Sequence, residues 1–519
     1  MSSKWTFLLC GLFLTGLAKA QTPEEAALFS EEGLFGTPRY QAMSGAFTSL
    51  GNDLSGLRLN PAGIGVFRHN ELNVTFDYLD KQHRLGPFYG TTGIHEQGEL
   101  SLSNIGLALP LRQASKGDFE WALGINFNKT SDLNRSYTII GSQPNNYTLG
   151  EYWGESSANQ NVDNISNDAF AAWQAYLLVD TMTPPPDEEI FIRDTNASYA
   201  FGTLQPDGSV QSSATTEFEV QQYGSSGITE FSFGGNYDRT FFYGLTIGIP
   251  TLNYTRESFI TEYINEQDAA PYNARNYTYR RRSDLSATGF NFKLGFIYTP
   301  SPLFRLGASY QSPSWFQVDQ TYEYDIAAQF NGPPLQGVNA NTESETFSTN
   351  QYHYALCRPA VYRLGISSVI DEWLILSADY HYTAPQNTDL RRGVNGFNIS
   401  PEKLATYQTG IDNFFSPTQN TFAVGTEIRL NQRFYLRGGY RYQTSVYKRK
   451  ERDFTVSNRQ GFSAGLGAQF NQLLLNLSFS QQRRDLTDGT YTYRRVQVLQ
   501  DVNIRQRLLH FSGGLTYRF

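Results

Sequence analysis

Residues Arg39 to Phe67 read RYQAMSGAFTSLGNDLSGLRLNPAGIGVF and differ from everything that follows them. This stretch is rich in small residues, has no apolar–polar alternation, and closes on Asn60-Pro61-Ala62-Gly63. Because proline restricts the backbone of the residue before it, Asn60 ends any helix that precedes it. After about residue 70 the chain consists of short alternating segments separated by polar connections. The sequence therefore predicts one compact irregular segment followed by one long β-region.

The composition of the 519-residue chain narrows the class of protein. Tyr (33), Phe (37) and Gly (45) are abundant and Met (3) is scarce, which is typical of a β-rich fold. The mean hydropathy is -0.44, and no apolar run beyond the N-terminus is long enough for a membrane-spanning helix. The formal charge of -8 argues against nucleic acid as a partner.

The N-terminus has the features of an export signal. Lys4 supplies a positive charge, Trp5 to Leu17 is apolar but too short to span a bilayer, and Ala18-Lys19-Ala20 is a small-residue cleavage site. We therefore predict three parts of the chain: a signal peptide over residues 1–20, an N-terminal plug or hatch over residues 21–68, and a barrel over residues 69–519.

Two short helices are expected in the plug. Thr22-Pro23-Glu24-Glu25 combines a hydroxyl cap, a proline at the first helical position and acidic residues that suit the helix dipole. The run from Gln41 to Leu50 is the candidate for the second helix.

From Glu71 onward, apolar residues recur at every second position in about fourteen segments, with polar residues and glycine between them. The apolar faces of these segments begin at Leu72, Ile105, Trp121, Phe231, Tyr243, Phe290, Phe304, Tyr362, Leu374, Phe422, Phe434, Phe462, Leu473 and Leu509. Alternation alone fits both a soluble β-sandwich and a membrane barrel.

Three features favour the membrane barrel. Many apolar faces end in Tyr, Phe or Trp, like the aromatic girdles of outer-membrane barrels, and short connections alternate with long ones. The long loops are predicted at 81–97, 131–227, 257–285, 319–357, 385–419, 447–458 and 485–505. The chain ends on Leu515-Thr516-Tyr517-Arg518-Phe519, which is similar to the outer-membrane assembly signal. We therefore predict an all-β fold, a transmembrane antiparallel β-barrel of about 14 strands with the hatch inside its lumen.

The long loops contain two candidate helices, one from Asp168 to Asp180 and one capped by Ser400-Pro401. Each presents an apolar face at helical spacing: Phe170, Trp173 and Leu177 in the first, and Leu404, Tyr407 and Ile411 in the second. Two interpretations stay open. Either these faces pack on neighbouring loops, or they form an apolar catch for a hydrophobic ligand outside the cell.

No catalytic or metal site is apparent in the sequence. His353 and Cys357 are four residues apart, but no second pair completes a set of metal ligands. Cys357 is the one cysteine left after signal cleavage, which excludes an intrachain disulfide. No G-x-S-x-G elbow occurs. We predict neither an enzyme nor a cofactor.

The polar faces of the strands carry basic residues. Arg433, Arg437 and Arg441 are predicted to share one face of one strand, about 13 Å apart in succession. Lys293, Arg305, Arg363, Glu427, Arg429, Asp379 and His381 also fall on polar faces. Such arginines either bind the carboxylate of an amphipathic ligand or pair with acids inside a polar lumen.

Asn60-Pro61-Ala62-Gly63 resembles the N-P-A hatch signature of the long-chain fatty-acid transporter family, outer-membrane proteins of the FadL/TodX type. The lead-in, Ala42-Met43-Ser44-Gly45-Ala46 and Gly51-Asn52-Asp53-Leu54-Ser55, is also similar to that family. The resemblance implies a hatch-closed barrel in the outer membrane of a Gram-negative bacterium. It also implies a hydrophobic ligand that is caught outside, enters a lumen pocket and leaves sideways through a gap in the wall. It assigns Asn60, Pro61, Ala62 and Gly63 to the hatch.

The expected function is passive transport of hydrophobic compounds, with long-chain fatty acids first. Because each buried methylene contributes about 0.8 kcal/mol, an acyl chain needs an apolar pocket and a lateral exit rather than a wide aqueous pore. The alternatives are a barrel with a protein-binding or secretion-associated surface role, and a general porin, against which the plug argues. The expected partners are a fatty acid or hydrocarbon, outer-membrane lipid and, during biogenesis, the barrel-assembly machinery. Gly234-Gly235, Gly244 and Gly248-Ile249-Pro250 are candidate positions for a kink in the wall.

Overall fold

A computed structural model describes residues 23–112, 119–142, 148–157, 160–161, 165, 167–175, 177–178, 190–191, 203–204, 210–211, 214–264, 274–330, 343–391, 401–448, 457–488, 492–493, 496–497 and 500–519. The signal peptide predicted over residues 1–20 lies outside the described residues.

Fourteen antiparallel strands form one closed barrel, as the sequence predicts. The strands are β1 Glu71–Phe88, β2 Thr91–Arg112, β3 Phe119–Asp132 continued by Arg135–Ser142, β4 Ala214–Tyr237, β5 Phe241–Ile264, β6 Ala274–Ser301, β7 Phe304–Gln311 continued by Ser314–Phe330, β8 Glu343–Arg358 continued by Val361–Ile370, β9 Leu374–Thr383, β10 Gln419–Arg429, β11 Phe434–Gln443, β12 Arg459–Phe470, β13 Leu473–Asp488 and β14 Val502–Arg518. A short extension of β9, Asp389–Arg391, pairs with β8. The ring closes where β1 meets β14, in unbroken register from Glu71–Arg518 to Leu85–Ile504.

The outer surface carries the apolar band predicted from the alternation. On the part of β5 before Pro250, the exposed large side chains are Phe241, Leu245, Ile247 and Ile249. At about 3.3 Å per residue this run is close to the roughly 25 Å band of outer-membrane barrels. The apolar residues of the alternating segments therefore form the outer, lipid-facing surface, and the polar residues between them point into the barrel.

Several strands continue well past this band, which the sequence did not predict. Beyond Pro250 the pattern of β5 reverses, so that Leu252, Tyr254 and Ile260 are buried inside the barrel while the outward side chains are mostly polar. The loops predicted at 81–97, 257–285, 319–357 and 485–505 are therefore wrong in extent, because much of each is strand. The physical reason is that above the membrane the outer wall faces water and the apolar side chains turn inward.

The helices are short. They are α1 Pro23–Leu28, α2 Pro38–Ala42, α3 Leu149–Ser157, α4 Asn167–Gln174 and α5 Pro401–Phe414, with 3-10 turns at Ser55–Arg58, Pro61–Val66 and Pro385–Asn387. The start of α1 at Pro23 agrees with the prediction. The helix predicted over Gln41 to Leu50 is wrong, because left-handed backbone at Ser44 (φ 53°) and Gly45 (φ 76°) follows α2 at once. None of the described helices is both long and apolar enough to cross a membrane.

Candidate functional site

The N-terminal segment, residues 23–67, lies inside the barrel and touches the inner wall on all sides. Strand glycines around the ring meet it directly, among them Gly244 against Pro61, Gly307 against Thr48, Gly439 against Ser44 and Gly514 against Pro38. A Cβ atom at Gly244 would lie 2.3 Å from the Pro61 carbonyl oxygen, so only glycine permits this approach. Gly234 and Gly244, considered above as positions for a kink in the wall, make room for Ile64 and Pro61 of this segment, whereas a Cβ atom at Gly235 would meet the backbone of Glu120 on β3.

Asn60 fixes the last turn of the segment and joins it to the wall. Its side-chain oxygen accepts a hydrogen bond from the Ala62 backbone N–H (3.0 Å) and so caps the 3-10 turn that Pro61 begins. Its amide nitrogen donates to the carbonyl oxygens of Thr48 (2.7 Å) and Phe296 on β6 (3.0 Å). Gly63 then packs against Gly51. The Asn60-Pro61-Ala62-Gly63 motif is thus buried, and it connects the last turn of the plug both to the plug segment around Thr48 and to strand β6 of the wall.

The arginines predicted for β11 have three different environments. Arg437 is buried and donates to Glu427 (2.6 Å), which also accepts from Arg39 of the plug (2.8 Å). Arg441 lies beside Gly45 of the plug. The prediction is wrong for Arg433, which is exposed in the turn before β11, where its backbone N–H donates to Asn431. Arg437 is therefore part of a plug-to-wall ion pair.

The lumen is apolar in the half where the strands extend past the outer apolar band. Inward side chains of β5–β8 pack with α1 and α5 in one cluster, represented by Leu252, Tyr254, Phe316, Val318, Tyr354, Phe29, Tyr407 and Ile411. A second cluster joins α3 and α4 to the upper ends of β3–β7. We call this region the upper lumen. It offers an apolar environment within a barrel whose membrane-level interior is polar.

The two loop helices pack differently. In α5, Tyr407 and Ile411 are buried and Leu404 packs against them, as predicted. In α4 the fully buried face is made of alanines, including Ala169 and Ala172, because small side chains permit close packing. Leu177, just beyond α4, is buried. Phe170 and Trp173 form a half-buried ring pair with centroids 5.4 Å apart.

The described residues contain no group of three or more His, Cys, Asp or Glu side chains able to hold a metal ion. His353 and Cys357 lie on the extended strand β8, where four residues separate them by about 13 Å. The His353 side chain instead pairs with Asp319 on β7.

Residues 244–485 match the model of the outer membrane protein transport protein family (OMPP1/FadL/TodX). Over these residues, a little under half of its length, the chain belongs to this family. The crystal structure of a Pseudomonas aeruginosa FadL homologue is similar to it over 94% of this chain and 99% of that chain, with 14% identity and a TM-score of 0.55. The P. putida toluene transporter TodX is similar over the same shares, with 11% identity and a TM-score of 0.50. No curated protein matches the chain.

The matched family consists of outer membrane transport proteins, and residues 244–485 lie within the β-barrel of this chain. The two crystal structures share the barrel architecture with this chain.

The wall of the barrel is discontinuous between β2 and β3. The two strands pair from Arg112–Trp121 up to Asn104–Asn128 and then separate, while β3 keeps its pairing with β4. Residues 91–103 of β2 consequently have no ladder partner on that side within the described chain. The sequence did not locate this gap, because alternation does not specify which residues of neighbouring strands pair.

Side chains rather than backbone bonds cross the gap. Lys129 of β3 donates to Ser101 of β2 (3.0 Å), and a ring nitrogen of His95 lies 2.8 Å from the Thr138 carbonyl oxygen. On the inner side, a cavity is lined by Leu34 and Phe35 of the plug and by Ser131 and Asp132 of β3. Because side-chain contacts reform more easily than a ladder, this part of the wall is suited to opening.

A further cavity lies between the plug and β4–β8. Its lining joins apolar side chains of the upper lumen, including Phe29 and Phe316, to the arginines Arg58, Arg358 and Arg363. Glu32 of the plug lies at this cavity and pairs with Arg358 at 2.6 Å. Burial alone would raise the pKa of the Glu32 carboxyl, but Arg358, Arg58 and Arg363 together hold that pKa well below its ordinary value.

The sequence pointed to some of these residues but not to their arrangement. Arg363 was predicted on a polar face of its strand, and the structure shows that it is buried inside the barrel. Arg58 and Glu32 carried no signal beyond being charged residues within an otherwise small and apolar segment. Their proximity to β8 depends on the plug being folded inside the barrel.

Proposed function

We propose that this protein carries hydrophobic compounds, long-chain fatty acids first, passively across the outer membrane. The ligand is captured at the loop helices, enters the apolar upper lumen, and leaves sideways between β2 and β3 into the bilayer. Each methylene that stays out of water along this route retains about 0.8 kcal/mol. The gap between β2 and β3, next to the plug cavity, is the observation that carries the proposal.

The plug favours this lateral route over a general porin. Its contacts with glycines on opposite sides of the ring leave little space along the barrel axis at the level of the membrane. A porin route would require the whole segment to leave, which would break the Asn60 bonds and the Arg39–Glu427–Arg437 ion pairs. The lateral route requires only that the side chains between β2 and β3 move.

Two cross-linked proteins distinguish these routes, each made with Cys357→Ser to remove the native thiol. Ser101→Cys with Lys129→Cys, joined by a bifunctional maleimide, holds the gap closed. Ser44→Cys with Ser463→Cys pins the plug to β12, since the native hydroxyl oxygens are 2.6 Å apart. We expect fatty-acid uptake to fall to background in the first protein and to persist in the second. Each protein before cross-linking is its own control, and the reverse result would contradict the lateral route.

The nature of the ligand is tested on protein purified from outer membranes. Small molecules that copurify are extracted and identified by mass spectrometry. A stoichiometric fatty acid or hydrocarbon supports the carrier function and gives its substrate class. A protein that is empty, even after incubation with fatty acids, would contradict it. The alternative, a barrel whose loops bind a protein partner, would then be pursued.

A further inference from the structure

Two buried arginines at the plug cavity have hydrogen-bonding groups that the protein does not use. Arg363 on β8 is 3% exposed, and one of its terminal nitrogens donates to Gln311 at 3.0 Å. Its Nε and Nη1 atoms have no hydrogen-bond partner within the described part of the chain. A buried charge in this condition is costly unless an acceptor reaches it.

Arg58 of the plug has the same features. It is 5% exposed, and one terminal nitrogen donates to the Tyr40 hydroxyl at 3.1 Å. Its Nε and Nη1 atoms also have no partner among the residues that the structure describes. Both arginines line one cavity, so their free N–H groups are available to the same ligand.

The charge around this cavity is unbalanced. Lys293, which also lines it, is neutralised by an ion pair with Glu230. Glu32 is bonded to Arg358, and neither Arg58 nor Arg363 has a carboxylate within 4.0 Å in the described chain. Glu31 also lines the cavity, but its carboxylate is paired with Arg484 and Arg459. Glu32 is therefore the one lining carboxylate among the described residues that is left to three arginines. A planar oxyanion is the partner that guanidinium groups bind best.

The cavity is apolar on its other side. Phe29, Leu252 and Phe316 line it and belong to the apolar cluster of the upper lumen. A ligand can therefore place an acyl chain in the upper lumen and its charged head against the arginines. A neutral hydrocarbon would use only the first of these surfaces.

We propose that Arg58 of the plug and Arg363 of β8 form the head-group site for a single-chain amphiphile with a carboxylate or phosphate head, and that Glu32 is an internal carboxylate that competes with this ligand. Binding draws the head between the plug and the wall, and it weakens the hold of Arg58, Arg358 and Arg363 on Glu32. The inference rests on the proposed function and adds the ligand's charge and a coupling between ligand and plug.

The test measures binding of three ligands to the purified full-length protein in lipid nanodiscs: palmitate, hexadecyl phosphate and methyl palmitate. The wild-type protein should bind palmitate at least about tenfold more tightly than the ester, since charge-assisted hydrogen bonds are strong. Arg363→Gln should remove this preference without weakening ester binding, and Arg363→Lys should restore part of it. Glu32→Gln should strengthen palmitate binding severalfold, because the competing carboxylate is gone. Hexadecyl phosphate shows whether the site prefers a carboxylate or a phosphate.

Arg305→Gln is the matched control. Arg305 also reaches from β7 to the plug, where it donates to the Leu50 carbonyl oxygen at 3.0 Å, but it does not line the cavity. This variant should leave the preference for palmitate unchanged, and heat-modifiable gel mobility confirms that each barrel is folded. Equal wild-type affinity for acid and ester, or an equal loss of both in Arg363→Gln, would overturn the head-group site while leaving the carrier function standing. If none of the three ligands binds, both the head-group site and the carrier function are overturned.

Discussion

At the residue scale, glycines in the strands allow the plug to approach the inner wall of the barrel closely. Gly244 of β5 leaves room for the Pro61 carbonyl oxygen, which would lie 2.3 Å from an added Cβ atom. We expect Gly244→Ala to lift the plug from its seat and to cost about 1–3 kcal/mol of stability, as overpacking does. A lower midpoint of thermal unfolding and faster trypsin cleavage of the plug would report this. Gly438→Ala on β11 is the control, since the nearest atoms to its Cβ lie at 3.8 Å, and equal behaviour of the two variants would contradict the steric account.

At the scale of the element, α4 offers a surface for the first encounter with ligand. Its alanine face is buried while Phe170 and Trp173 stay half-buried. We expect Phe170→Ser with Trp173→Ser to raise the ligand concentration for half-maximal uptake about tenfold, with the maximal rate unchanged, because two aromatic contacts are lost. The conservative pair Phe170→Leu and Trp173→Phe should retain uptake. Unchanged half-saturation in the serine variant would mean that these rings only pack on their neighbours.

The strands also show what a sequence can specify. All fourteen were predicted because each keeps one lipid-facing run, such as Phe290 to Tyr298 on β6, where burial alternates strictly. The upper parts of the strands were not predicted because the apolar residues change from the outward to the inward positions, as they do near Pro250 on β5. In the sequence, such a change breaks the alternation and resembles the end of a strand. The gap after Asn104 was missed because pairing depends on the register between two strands, which alternation does not carry. The ion pair between Glu32 and Arg358 could not be predicted, because it joins residues far apart in the sequence that come together only when the plug lies inside the folded barrel.

At the scale of the whole molecule, the barrel is taller than the membrane at one end only. Strand β6 has 28 residues, and its exposed apolar run lies near the end that turns into β7. The other end projects outward, as the loop side of such barrels does. We expect an epitope tag inserted between Ile264 and Ala274 to be labelled on intact cells. A tag in the turn at residues 238–240 should be labelled only after the outer membrane is permeabilised, and the opposite pattern would reverse the orientation.

The seam between β1 and β14 has a consequence for biogenesis. The plug is tethered to the first strand of the ring, and the last strand completes the enclosure by pairing along residues Glu71–Leu85. A segment made at the start of synthesis is thus locked in by the segment made at the end. It must enter the nascent cylinder before the seam is zipped, or thread in later through the periplasmic mouth, because a sideways entry would unzip the whole seam. The plug is therefore synthesised first, but it is permanently enclosed only when the last strand has paired with β1.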